Sequence, residues 1–84
     1  MVYTWVKKKL RTDYFGMVSG LNCVLQGVDG DKTETANFVL VIPEHEEEHA
    51  DAWTEERINA TAESGRENLE IEIARKVTAL ENAE

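Results

Sequence analysis

The chain has 84 residues, which is enough for one domain with a small hydrophobic core. Its formal net charge is −8, and residues 43–84 account for this because they carry thirteen acidic and only four basic side chains. An acidic chain is disfavoured as a general binder of nucleic-acid phosphates, which require clustered Lys and Arg. The single cysteine, Cys23, excludes a disulfide within the chain, and no apolar run approaches the ~20 residues that span a bilayer.

Residues 1–42 predict a three-stranded antiparallel meander. The predicted strands are rich in β-branched and aromatic residues, and they cover Val2–Leu10, Met17–Val28 and Thr33–Ile42. Strict alternation in the first strand places Tyr3 and Trp5 on one face with Lys7 and Lys9, and Lys8 on the other face with Leu10. A lysine-rich strand is typical of an exposed sheet edge. The segment "RTDYFG" then predicts a loop that ends at Gly16.

The turn between the second and third strands is predicted from register. A two-residue Gly30-Asp31 loop pairs apolar residues with apolar residues, namely Leu25 with Ala36, Cys23 with Phe38, and Leu21 with Leu40. An Asp29-Gly30 loop would shift the pairing by one residue and place Leu25 opposite Glu34. We therefore predict the Gly30-Asp31 loop, because a slip of one residue moves a side chain to the wrong face.

Residues 43–53 predict an acidic linker, and residues 54–84 predict a helical hairpin. Pro43 ends the third strand, and the residues after it carry no apolar stripe. Thr54 is a suitable N-cap for a first helix, and Gly65 is a natural stop for it. A second helix from Arg66 to Asn82 then presents an apolar stripe of Leu69, Ile73, Val77 and Leu80. The expected fold class is α+β, a β-meander followed by a short αα-hairpin in one compact domain.

The run His45-Glu46-Glu47-Glu48-His49 matches the H-E-x-x-H pattern of zinc proteases. On a helix this spacing places both histidines on one face, and Glu67 or Glu70 could supply a third ligand. The run has no apolar residue that would anchor such a helix, and several carboxylates would compete for the metal. We therefore predict no catalytic residue and no cofactor, and we retain His45 and His49 as weak metal candidates.

The aromatic and basic residues of the sheet suggest contact surfaces. "KKKLR" together with Tyr3, Trp5, Tyr14 and Phe15 would suit single-stranded nucleic acid, but four basic residues in an acidic protein favour a solvated edge strand instead. We expect no binding to nucleic acid or to a membrane. The candidate contact residues for a protein partner are Tyr3, Trp5, Lys7, Lys9 and Trp53.

The order of elements resembles a group of small accessory proteins of tailed, marine podovirus-like bacteriophages. The matching residues are Trp5, Asp29-Gly30, Thr33, Thr35, Pro43 and Thr54-Glu55-Glu56. This resemblance implies a non-enzymatic component of the virion, such as a capsid decoration or tail protein, that docks in multiple copies on a phage capsid or tail protein. It places the chain in the virion, or in the host cytoplasm during infection.

Two other functions are compatible with the residues. The acidic half could occupy a basic groove of a host enzyme and inhibit that enzyme. More remotely, the H-E-x-x-H run could belong to a zinc hydrolase.

Overall fold

The computed structural model describes residues 1–82, and these residues form an antiparallel sheet covered by a single α-helix. In chain order the elements are β1 (Val2–Thr12), β2 (Met17–Asp29), β3 (Lys32–Val41), a 3₁₀ turn (Glu44–Glu46), β4 (Glu48–His49), a second 3₁₀ turn (Ala50–Ala52) and α1 (Glu55–Asn82). This order confirms the α+β class and the meander. The predicted αα-hairpin is wrong, because one helix replaces it up to residue 82. Residues 83–84 of the predicted helical unit lie outside the described residues.

The turn between β2 and β3 confirms the predicted register. Gly30 has a φ of 64°, a left-handed conformation that glycine adopts without strain, and Asp29 pairs with Lys32 across the turn. The predicted apolar pairs all form, and they are Leu25 with Ala36, Cys23 with Phe38, and Leu21 with Leu40. The face of the sheet that carries these pairs is the one that α1 covers.

The predicted faces of β1 are wrong for its second half, because β1 contains a bulge at Val6. Trp5 pairs with Leu25 of β2, whereas Lys7 pairs with the adjacent Val24, so Val6 has no pairing partner in β2. One extra residue reverses the alternation of side chains beyond it. The side chains directed towards the helix are therefore Tyr3, Trp5, Lys8 and Leu10, and Lys7 and Lys9 lie on the opposite, open face of the sheet.

The acidic segment predicted as a linker is folded against the sheet. Its two-residue strand β4 pairs with the start of β2, with His49 opposite Met17 and Glu48 opposite Val18. The Ala50 N–H also donates to the Gly16 carbonyl at 3.0 Å. β4 thus adds a short fourth strand to β2, and Val18 beneath it is fully buried.

Helix α1 begins where the sequence predicts and continues through the predicted stop. The Arg57 N–H donates to Thr54 Oγ1 at 3.2 Å, which confirms Thr54 as the N-cap. Gly65 lies inside the helix, and a Cβ atom at this position would be 2.8 Å from Cε1 of Phe38. Glycine is therefore required for close approach of the helix to the Phe38 ring, and the buried residues Ala62 and Leu69 on either side keep the helix on the sheet.

The core lies between the central strand and one stripe of the helix. Its buried side chains are Leu21, Cys23, Leu25, Ala36, Ala62, Leu69, Ile73 and Val77. Three of the four predicted stripe residues are in this set, whereas Leu80 is 41% exposed. Burial raises the pKa of the Cys23 thiol, and the nearby charge of Lys8 opposes this rise in pKa, so the residue is an uncharged part of the core.

Candidate functional site

The three aromatic contact candidates belong to the packing between sheet and helix. Tyr3 Oη donates to the Glu70 carbonyl oxygen at 3.4 Å, and Trp5 Nε1 donates to Glu63 Oε1 at 3.1 Å. Trp53 is only 8% exposed. The structure therefore separates these rings from Lys7 and Lys9, which lie on the open face.

Trp5 is surrounded by charged groups that connect β1 to α1. Lys8 Nζ is 5.8 Å from the centroid of the indole ring, and Cζ of Arg66 is 6.0 Å from it. The hydrogen bond from Trp5 is the largest cause that lowers the pKa of Glu63, and the neighbouring Arg66 lowers this pKa further. Because the contacts of Trp5 with Glu63 and Arg66 join β1 to α1, they stabilise the packing of the helix on the sheet.

Trp53 is held by a clamp between β4 and α1. Cζ of Arg57 lies 4.0 Å from the centroid of the Trp53 ring, and the same guanidinium pairs with the Glu48 carboxylate and donates to the Ala52 carbonyl oxygen at 3.3 Å. Arginine stacked on an aromatic face and held by a carboxylate is a favourable arrangement. This clamp fixes the acidic segment at the start of the helix.

His45 and His49 do not share a helical face. His45 lies in the first 3₁₀ turn, whereas His49 lies in β4 and its Nδ1 accepts a hydrogen bond from the Asp51 N–H at 3.2 Å. Within residues 1–82, no three His, Cys, Asp or Glu side chains are grouped closely enough to hold a metal ion. The zinc-hydrolase hypothesis depends on a helix at this run, and the structure has the end of one 3₁₀ turn and the short strand β4 there instead.

The open face of the sheet carries a row of basic side chains on β1. We call Lys7, Lys9 and Arg11 the basic strip, and all three are exposed. The strip borders a groove of about 440 Å³ that Asn22 of β2 also lines. Because Tyr3 and Trp5 lie on the other face, the basic strip has no aromatic ring from β1 beside it. Of the four rings that the nucleic-acid hypothesis names, Tyr3 and Trp5 therefore lie on the opposite face from the basic strip.

Two aromatic rings project from the loop between β1 and β2. Tyr14 is 98% exposed and Phe15 is 79% exposed, and we call this pair the aromatic tip. Their ring centroids are 5.8 Å apart with planes at 83°, an edge-to-face contact. Large apolar rings exposed to this extent on a loop are typical of a surface that binds a partner.

The backbone beneath the aromatic tip is braced by Asp13. Its Oδ1 accepts hydrogen bonds from the N–H of Phe15 at 2.8 Å and of Met17 at 3.0 Å, while the Asp13 N–H donates to the Met17 carbonyl oxygen at 2.9 Å. Gly16 completes the turn with a φ of 78°. The backbone of the loop is therefore held in one conformation, which reduces the backbone entropy lost on binding.

A carboxyl group of the acidic segment lies beside this loop. Loss of solvent around Glu47 is the largest cause that raises the pKa of its carboxyl, followed by the negative charges of Asp13 and Glu44. The acidic segment thus lies close to Asp13 beneath the aromatic tip, and the ionised form of Glu47 is disfavoured there.

The sequence predicted a loop at "RTDYFG" and named Tyr14 and Phe15 as possible nucleic-acid stackers, but it did not name them as contact residues for a protein partner. The signal was available, because two adjacent aromatic residues between Asp13 and Gly16 occupy a turn too short to bury both rings.

Comparisons with known proteins assign no function to this site. Comparisons of the chain with protein-family models, curated sequences and solved structures each find no match. No helix among residues 1–82 has the length and apolar character needed to cross a membrane.

Proposed function

We propose that this chain is a non-enzymatic docking protein that attaches to a larger protein assembly through its aromatic tip. In keeping with the sequence resemblance, the assembly is the particle of a tailed phage, and the chain is a capsid decoration or tail component. The observation that carries the proposal is the exposure of Tyr14 and Phe15 on a loop braced by Asp13. Buried aromatic anchors contribute a large share of binding energy at protein interfaces.

The basic strip supports an acidic surface on the proposed partner. Lys7, Lys9 and Arg11 follow β1 towards the loop that carries the tip, so they border the same end of the open face. A partner that offers an apolar pocket for the two rings and carboxylates beside it would complement both features. Charge complementarity of this kind increases the rate of association and the specificity more than the affinity.

Mass spectrometry of purified particles tests the proposal. We expect the wild-type chain to co-purify with a capsid or tail protein at a constant ratio, and we expect Y14A/F15A to reduce its amount about tenfold or more, since truncation of two aromatic anchors costs several kcal/mol. Ile71→Ala is the matched control, because Ile71 is an exposed apolar residue on the helix, 45% exposed. Absence of the wild-type chain from particles, or equal loss with Ile71→Ala, would refute the proposal.

The outer surface of the helix favours a second candidate, inhibition of a host enzyme with a basic groove. Six carboxylates of α1 are exposed, namely Glu55, Glu56, Glu63, Glu67, Glu72 and Glu81. Binding through these groups would weaken steeply with salt and would be unaffected by Y14A/F15A. Replacement of Glu67 and Glu72 by glutamine would separate the candidates, since only the inhibitor would lose affinity.

A further inference from the structure

Among residues 1–82, no strand pairs with the outer edge of β3, which makes this edge a second candidate surface. In the sheet order β1-β2-β3 the strand β3 lies at one edge, and its ten residues pair with β2 without a register shift. A regular strand at an edge presents a row of unpaired backbone donors and acceptors that another strand can use.

Two hydrogen bonds establish which residues of β3 direct their backbone groups outwards. The Ile42 N–H donates to the Ser19 carbonyl oxygen of β2 at 2.9 Å, so the even-numbered residues face β2. The Thr35 carbonyl oxygen instead accepts from Lys76 Nζ of the helix at 2.7 Å. Because these directions alternate along a strand, the residues with outward N–H and C=O groups are Thr33, Thr35, Asn37, Val39 and Val41.

These five residues contain neither a bulge nor a charged side chain, and Lys76 Nζ of the helix contacts this edge at the Thr35 carbonyl oxygen. All five side chains are exposed on the open face, with Val39 at 43% and Val41 at 72%. The other edge strand, β1, has both a bulge at Val6 and the basic strip. Bulges and lysines are the usual means of keeping an edge unpaired. The two edges of the sheet thus differ, and β3 is the one open to strand addition.

We propose that the β3 edge binds the β3 edge of a second copy of this chain, antiparallel and centred on Asn37. This inference goes beyond the proposed function, since it concerns a different surface. The centre follows from the five outward residues, because a two-fold axis at the middle residue lets all of them pair. Thr33 then lies opposite Val41 and Thr35 opposite Val39, while Asn37 lies opposite its own copy.

The pairing is self-complementary. Every threonine faces a valine, and β-branched pairs opposite each other stabilise a sheet. No like charges meet, and the carbonyl of Thr35 can accept a bond from the second copy as well as from Lys76, since an oxygen has two lone pairs. An interface that a two-fold axis generates from one patch must complement itself in this way. The two meanders would form one continuous sheet with both aromatic tips available at opposite ends.

The dimer is expected to be weak and to strengthen with salt. An edge-to-edge contact buries less surface than the roughly 1,000 Å² expected of a stable interface, so its Kd lies in the micromolar range or above. Each copy carries a net charge of −8, and salt screens the repulsion between copies. Sedimentation of the full chain from about 5 to 500 µM, at low and high salt, covers this range of affinity.

Substitutions at Asn37 test the register. Asn37→Pro removes an outward N–H that β2 does not use, so it should abolish the dimer, whereas Asn37→Ala keeps that N–H and should retain it. Asn37→Lys and Asn37→Asp each place like charges together on the two-fold axis and should weaken the dimer about tenfold or more, and an equal mixture of the two should restore it as a heterodimer. Circular dichroism of each variant verifies that the meander is folded.

A wild-type chain that stays monomeric over the whole concentration range at high salt would overturn the proposal. A dimer that survives Asn37→Pro with the fold intact would also overturn it, as would a mixture of the Lys and Asp variants that fails to associate while the wild type dimerises.

Discussion

Replacement of Gly65 by alanine tests whether this glycine serves packing rather than helix termination. At an exposed helical position, Gly→Ala stabilises a protein by about 1 kcal/mol. Here the added Cβ would lie 2.8 Å from Cε1 and 3.0 Å from Cδ1 of Phe38, so the ring or the helix must move. Overpacking of this kind costs about 1–3 kcal/mol. The difference between these two effects predicts a net loss of up to about 2 kcal/mol for Gly65→Ala.

The effect of Gly65→Ala on the free energy of unfolding should change sign when the Phe38 ring is absent. In a Phe38→Ala background the alanine at position 65 meets no ring, and the gain of about 1 kcal/mol in helix propensity remains. Urea unfolding followed by circular dichroism measures the four free energies of the cycle, and we expect a coupling energy of about 1–3 kcal/mol.

Asn68→Ala is the control for this cycle, because Asn68 is an exposed position of the same helix and its effect should be independent of Phe38. A coupling energy between Gly65→Ala and Phe38→Ala within about 0.5 kcal/mol of zero would refute the reasoning.

Three further predictions concern the helix start and two carboxyl groups. Thr54→Ala should lower the free energy of unfolding by about 1 kcal/mol in urea titrations, because the bond from the Arg57 N–H is lost, and Thr54→Ser should restore it. Trp5→Phe should destabilise the chain at about pH 7 more than at about pH 3, because the bond from Trp5 lowers the pKa of Glu63, and its contribution is present above the unfolded pKa and lost as pH falls. Glu47→Gln should stabilise the chain at about pH 7 but not at about pH 3. The pKa of Glu47 is raised, so the favourable contribution of its protonated form is lost as pH rises, and glutamine removes the charge that is unfavourable at about pH 7. Thermal unfolding at both pH values measures the last two, and an effect of Trp5→Phe or Glu47→Gln that is the same at both would contradict the pKa directions.

The meander could be predicted because its signals are local and agree with one another. The alternation of apolar residues in β2 and β3 permits only one register, and the Gly30-Asp31 turn satisfies it. The N-cap at Thr54 was visible for the same reason, since capping depends on the residue and the first turn of its own helix.

The errors arose where contacts distant in sequence override local preference. Gly65 is a helix stop by propensity, but the contact with Phe38, twenty-seven residues earlier in the chain, requires a glycine inside a continuous helix. The bulge at Val6 has no signature in "TWVKK", and it reversed the faces of the lysines after it. The acidic segment looked solvated because its pairing with Met17 and Val18 uses backbone groups rather than side chains.

The candidate site was predicted only in part. Lys7 and Lys9 are exposed, as expected. The bulge at Val6 places them on the open face, whereas strict alternation placed them on the face of Tyr3 and Trp5. The aromatic candidates chosen from the sequence belong to the packing of the helix, since Trp5 and Trp53 are joined to Glu63 and Arg57. The complete fold decides which aromatic residues a small core can bury. The rings of Tyr14 and Phe15 lie outside the core.

Photo-crosslinking from the aromatic tip tests the central claim most directly. A photoreactive phenylalanine analogue replaces Phe15 in one variant and Ile71 in another, and each variant is irradiated in assembled tailed-phage particles that contain it. We predict that the probe at position 15 crosslinks to one capsid or tail protein in high yield and that the probe at position 71 does not. Equal yields from the two positions, or no crosslink from position 15, would contradict the account.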